Sequence, residues 1–140
     1  MVRISNLDII EILLKNSRTS FMEIAKSLGV SETAVRKRIR KMEEEGIIRR
    51  YTIDVDEKKL GFDVNAVIGL DTKPENYLSV IGKLKKIKRI RSLYSSSGDH
   101  MIMMEVWLKN SEELSKFINE LSKIEGVTRV CPAILIEKIR

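Results

Sequence analysis

At 140 residues the chain has room for one domain or two small ones, which all but excludes a large multi-domain enzyme. Hydrophobic residues make up 43% and charged residues 33%, with 7 Gly and 2 Pro, a composition that buries a core and is neither disordered nor fibrous. Lys and Arg number 26 against 20 acidic residues, a net charge of +6, which points toward an acidic macromolecular partner.

The first 50 residues hold 11 of the cations and 7 of the acids, so the basicity is concentrated at the front. Apolar residues there recur at helical spacing: Leu7, Ile10, Leu13 and Leu14, then Phe21, Ile24, Ala25 and Leu28, then Val35, Ile39 and Met42. Three short helices are predicted. Ser20 through Glu23 fits a capping box that opens the second, Gly29 ends it, Ser31 caps the third and Gly46 ends that. Two amphipathic helices joined by Gly29-Val30-Ser31, behind a first helix, read as a helix-turn-helix. After Gly46 the run Ile48 to Val55 alternates β-branched or aromatic with polar residues and predicts a half-buried strand, followed by a turn to Gly61.

Beyond it strand and helix patterns alternate: Asp63 to Asp71, a helix from Pro74 to Ile87, Arg89 to Ser96, Asp99 to Lys109, a helix from Ser111 to Ser122, and Val127 to Ile139. A weak repeat supports two βαβ halves, because Ile81, Leu84, Lys86 and Ile87 recur as Ile118, Leu121, Lys123 and Ile124. The fold class is therefore α+β, a winged helix-turn-helix followed by a ferredoxin-like βαββαβ domain with both helices on one sheet face. The expected division is residues 1–50 for DNA binding, 51–61 as an ordered connector strand and turn, and 62–140 for dimerisation and effector binding. On the strand from Asp99, His100, Ile102, Met104, Val106 and Leu108 fall on one side, Met101, Met103 and Trp107 on the other. A sheet apolar on both sides but covered by helices on one needs a further subunit, so at least a dimer is expected.

The sharpest chemical feature is Arg36-Lys37-Arg38-Ile39-Arg40-Lys41 on the third helix, after Ser31, Glu32 and Thr33. The first turns of a recognition helix reach base edges in the major groove, and cations further along neutralise phosphates. The alternative is a solvated basic face beside the acidic run Glu43 to Glu45. Arg49 and Arg50 fit either a wing touching the flanking backbone or plain exposed strand residues. Arg18 and Ser20, at the entry to the second helix, suit a phosphate contact, although Ser20 is accounted for by its cap alone. The basic stretch Lys83 to Arg91 reads as a solvated helix end more readily than as a second DNA track.

These motifs together resemble those of the Lrp/AsnC (feast/famine) transcription regulators, especially their archaeal LrpA-like branch. The similarity is carried by Ser20 to Ala25, Gly29 to Ile39, Gly46-Ile47-Ile48, Ser97-Gly98-Asp99-His100 and Ile124 to Val127, and spans essentially the whole chain. It implies a DNA-binding regulator with a C-terminal domain that dimerises and assembles toward octamers, and an amino-acid effector held between dimers. The effector site implied is the loop joining the two central strands, with Gly98, Asp99, His100 and Met101 as its residues. Many members carry a Gly-x-aromatic-Asp pattern there, and this chain departs from it with His100 and Met101. A tight turn with His100 at a packed interface is the alternative role for the same residues.

Catalysis finds little support. Cys131 and His100 are single, which removes disulfide frameworks and metal sites with several Cys or His ligands. Cys131 precedes Pro132 in an apolar strand and is expected to be a buried, inert thiol. No cofactor is implied. No apolar run approaches the roughly 18 residues of a membrane span, and Asp8 and Glu11 interrupt the position of a signal peptide, so a cytoplasmic protein without membrane association is expected. The runner-up reading is an amino-acid-sensing module with no direct DNA role.

Overall fold

The computed structural model describes residues 3–140. It consists of two compact units, the first running to Val55 and the second spanning Asp56–Arg140.

The first unit is built of α1 (Asn6–Lys15), α2 (Phe21–Leu28) and α3 (Glu32–Glu44). Ile9, Ile24 and Val35 are fully buried where the three helices meet, with Ala25, Ile39 and Met42 around them. The residues of α1 that pack inward are Ile9, Ile10, Ile12 and Leu13, so Ile10 and Leu13 of the predicted pattern hold, whereas Leu7 and Leu14 are 62% and 74% exposed. Short helices with apolar residues on two faces leave the choice of buried face to their neighbours.

The strand predicted over Ile48 to Val55 does not form: residues 51–56 carry no regular structure. A strand needs a ladder partner, and the described residues of the first unit include no second strand to supply one. The segment is held at its start instead. Gly46 takes a left-handed φ of 75°, which lets the Ile47 and Ile48 N–H groups donate back to the Met42 carbonyl at 2.9 and 3.1 Å, and Ile48 then packs beneath the helices. Tyr51 closes over the end of α3 through a 3.1 Å hydrogen bond from its hydroxyl to Glu43.

The second unit holds β1 (Val64–Thr72), α4 (Tyr77–Leu84), β2 (Ile90–Ser95), β3 (Ile102–Leu108), α5 (Ser111–Ser122) and β4 (Val127–Leu135). Short 3-10 turns at Glu57–Leu60 and Pro74–Asn76 precede β1 and α4. The sheet order is β2-β3-β1-β4 with every neighbouring pair antiparallel, the ferredoxin-like arrangement read from the βαββαβ pattern. Its core is one layer: Ala66, Ile68 and Leu70 of β1 and Ile102, Met104 and Val106 of β3 meet Val80 and Leu84 of α4 and Leu114, Phe117 and Leu121 of α5.

The period of two then dictates the opposite face, which α4 and α5 leave open; at one end of it Phe62 and Arg91 lie against Trp107, and buried Asn65 donates to Glu57 at 3.2 Å. Val67, Gly69 and Asp71 of β1 line it beside Met103, Glu105 and Trp107 of β3, and Cys131, Ala133 and Leu135 of β4. Cys131 is half-buried there, more open than the inert buried thiol expected, because β4 is an edge strand. Pro132, without an N–H to donate, is tolerated for the same reason.

Candidate nucleic-acid interface and effector loop

The three-residue turn between α2 and α3 sets the geometry of the first site. Ser20 and Glu23 form a reciprocal capping box, the Glu23 N–H donating to the Ser20 hydroxyl at 3.1 Å and the Ser20 N–H to the Glu23 carboxylate at 3.2 Å. Gly29 leaves α2 with φ of 68°, and the Ser31 hydroxyl accepts from the Ala34 N–H at 3.1 Å to start α3. Both serine oxygens therefore accept a cap bond, and each keeps its O–H as a donor.

With Val35, Ile39 and Met42 of α3 buried, Glu32, Thr33, Arg36, Lys37, Arg40 and Lys41 are all exposed on the rest of that helix. Lys41 has only a loose 3.9 Å approach to Glu45. Arg36 is more constrained: its Nη2 donates to Glu32 Oε1 at 2.8 Å, and its guanidinium lies 5.4 Å from the centre of the Phe21 ring. Thr19, Ser20, Phe21, Met22 and Glu32 line a shallow depression at this corner. Arg18 is exposed in the tight turn before α2, its N–H bonded to Asn16 Oδ1 at 3.0 Å, and Arg49 and Arg50 are exposed beyond α3.

Arg38, expected among the DNA-reading cations, is turned inward instead: half-buried, it donates from Nη1 to Asn6 Oδ1 at 3.1 Å. The sequence carried a signal for this, since Val35, Arg38, Ile39 and Met42 occupy i, i+3, i+4 and i+7 of one stripe. Among the cations of Lys83 to Arg91, Arg89 is bound to Glu120 at 2.8 Å and lies over Phe117, while Arg91 lies over Trp107 at 4.2 Å. Lys83, Lys85, Lys86 and Lys88 are exposed.

In the second unit the loop between β2 and β3 is closed by the Ser96 N–H donating to the Met101 carbonyl at 2.9 Å and the Ser96 hydroxyl to the His100 carbonyl at 2.7 Å. Gly98 has φ of 113°, a conformation side chains resist. The loop is tied down by Asp71 of β1. One Asp71 oxygen lies 2.9 Å from His100 Nδ1, and the other accepts from the Met101 N–H at 2.9 Å. The imidazole rests directly against Gly69, where an added Cβ would overlap the ring. Burial pushes the Asp71 carboxyl up, but the hydrogen bonds from His100 and Met101 and the charges of His100 and Arg129 outweigh it and hold the carboxyl below its ordinary value of 3.8.

Of the four residues expected to meet an effector, His100 and Met101 are thus engaged within the fold, and Gly98 and Asp99 are open. Asp99 is 82% exposed, 3.6 Å from His100 Nε2 and 3.9 Å from Arg129. Sequence reading missed Asp71 and Gly69, although a glycine and an acid within a largely apolar strand mark a close approach and a buried polar partner. Among the described residues no group of three or more His, Cys, Asp or Glu is arranged to hold a metal ion, and no helix is long and apolar enough to cross a membrane.

Comparison with known proteins matches both units. Residues 3–49 fit the family described as winged helix-turn-helix DNA-binding, and residues 65–139 the Lrp/AsnC ligand binding domain. The HTH-type transcriptional regulator LrpA of Pyrococcus horikoshii is 53% identical over 133 residues, 94% of this chain and 94% of that protein. LrpA1 of Halobacterium salinarum is 37% identical over 94% of both chains. Among solved structures, B. subtilis LrpC superimposes with a TM-score of 0.84 at 28% identity, covering 99% of this chain and 98% of that one. E. coli AsnC does so with a TM-score of 0.81 at 32% identity, covering 99% and 95%.

Proposed function

The chain belongs to the Lrp/AsnC family of HTH-type transcriptional regulators, in its archaeal LrpA-like branch, and from that premise we propose that it acts as a two-fold homo-oligomer reading a pseudo-palindrome in promoter DNA. The observation that carries this is α3, whose apolar stripe is buried while Arg36, Lys37, Arg40 and Lys41 remain in solvent. Glu32, Thr33 and Arg36 on its first turns address base edges, and Lys37, Arg40 and Lys41 address phosphates, with Arg18 and Arg49 on the flanking backbone. Ser20 and Ser31 contribute through the helix N-termini they organise, and their hydroxyls, which accept the cap bonds, keep an O–H to donate to phosphate. A two-fold pair of such helices spaces half-sites about 34 Å apart or a multiple of that.

The second unit holds the copies together through the open sheet face, where Val67, Met103, Trp107, Ala133 and Leu135 form an apolar surface suited to an identical surface. Assembly of dimers toward an octamer would then bring effector loops together. Gly98 and Asp99 are the groups left to an amino acid, the Asp99 carboxylate facing its ammonium. The protein carries no reaction of its own, and it works on DNA in the cytoplasm.

The deciding experiment is selection of genomic fragments by the purified full chain, followed by titration of the selected DNA. Arg36→Ala costs about 1–3 kcal/mol on specific DNA only, whereas Lys41→Ala weakens all sequences evenly and lowers the salt slope by about 1. Equal, salt-independent binding by both variants and the parent chain removes the assignment. A panel of amino acids in the same titration, with Asp99→Ala as the comparison, tests the effector loop.

A further inference from the structure

Phe21 opens α2, and a first-turn residue of a helix-turn-helix's second helix has no obligation to be aromatic. It is 36% exposed, too open to be a core residue, and α2 has Ile24 and Ala25 to bury in its place. What its ring does contact is Arg36, whose guanidinium lies 5.4 Å from the ring centre, within the range of a cation–π contact. The same guanidinium is bonded at one edge by Glu32, at 2.8 Å, with the Arg36 and Glu32 side chains 51% and 47% exposed. An exposed i, i+4 pair contributes little to stability, so the value of this arrangement lies in orientation. A long side chain that is otherwise free to rotate is held from two helices, with its remaining N–H groups given no acceptor among the described residues.

Glu32 also changes what Arg36 is suited to touch. An arginine already neutralised by a carboxylate releases few counterions and is a poor phosphate clamp. Its flat, fixed fork still fits the two acceptors, O6 and N7, that guanine presents in the major groove. We propose that Phe21 is a specificity-determining positioning residue: with Glu32 it pre-sets the Arg36 guanidinium to read one guanine in each half-site. This rests on the placement of α3 in the major groove argued above.

The test uses the full chain and DNA selected by it, varied one base pair at a time. The parent protein shows a guanine preference at one position per half-site, and Arg36→Ala erases it. Phe21→Leu reduces the preference at that same position by about two- to fivefold, the worth of an exposed cation–π contact. It leaves the salt slope and binding to non-specific DNA unchanged, and Phe21→Tyr restores the preference. In the double variant Phe21→Leu adds nothing to Arg36→Ala. The proposal is overturned if Phe21→Leu keeps the full preference, weakens all sequences alike, or multiplies with Arg36→Ala. If Arg36→Ala itself leaves every base preference intact, the α3 assignment falls and Phe21 with it. Failure of Phe21 alone leaves α3 standing.

Discussion

Replacing Gly69 by Ala tests whether the loop between β2 and β3 is anchored by packing against a bare strand. The new methyl group would overlap the imidazole of His100, and the ring has to leave. Leaving breaks the 2.9 Å contact between His100 and Asp71, in which both side chains are largely buried at 13% and 17% exposure. A hydrogen bond to a charged group contributes about 1.5–3 kcal/mol, and alanine in a strand regains about 0.5–1 kcal/mol over glycine. The expected net loss is about 1–2 kcal/mol, or a fall of roughly 4–16 °C in the melting temperature of a unit this size. Trp107, the single tryptophan, lies in this unit and reports its unfolding by fluorescence. In a His100→Ala background the same substitution meets no ring, and it should become neutral or stabilising by about 0.5–1 kcal/mol. A Gly69→Ala chain as stable as the parent, or an equal loss in both backgrounds, refutes the anchoring argument.

Acid titration separates Asp71 from the other carboxylates. Its folded value is depressed, so the unfolded chain takes up the proton first, and the stability it contributes is present above 3.8 and lost as pH falls through the folded value. Asp71→Asn should be less stable than the parent at neutral pH and show a shallower acid loss, measured by urea unfolding across pH. Arg38→Ala should cost the helical unit about 1 kcal/mol through its bond to Asn6 while leaving the salt slope of DNA binding unchanged, and a slope reduced by a full unit would return Arg38 to the phosphate-binding set. Ser20→Ala should cost about 1 kcal/mol of helical-unit stability by circular dichroism, because the hydroxyl satisfies the Glu23 N–H, whereas Ser20→Asp should retain most of it.

Features whose causes lie within a few residues of each other were readable in advance. The capping box at Ser20, the left-handed glycines at 29 and 46, the α3 cation run and the alternation along β3 from Ile102 onward all follow from neighbours one to four positions apart. The βαββαβ order followed too, since the handedness of connections leaves few ways to pack it. Contacts between distant positions were another matter. Asp71 meets His100 across two strands, Asn6 meets Arg38 across the helical unit, and Phe21 meets Arg36 across the turn. Each depends on which face of an element is buried, and that is settled by the neighbour it packs against. The same cause undid the strand expected after Gly46: alternation describes a chain able to pair, and pairing requires a second strand, which the described residues of this unit do not include.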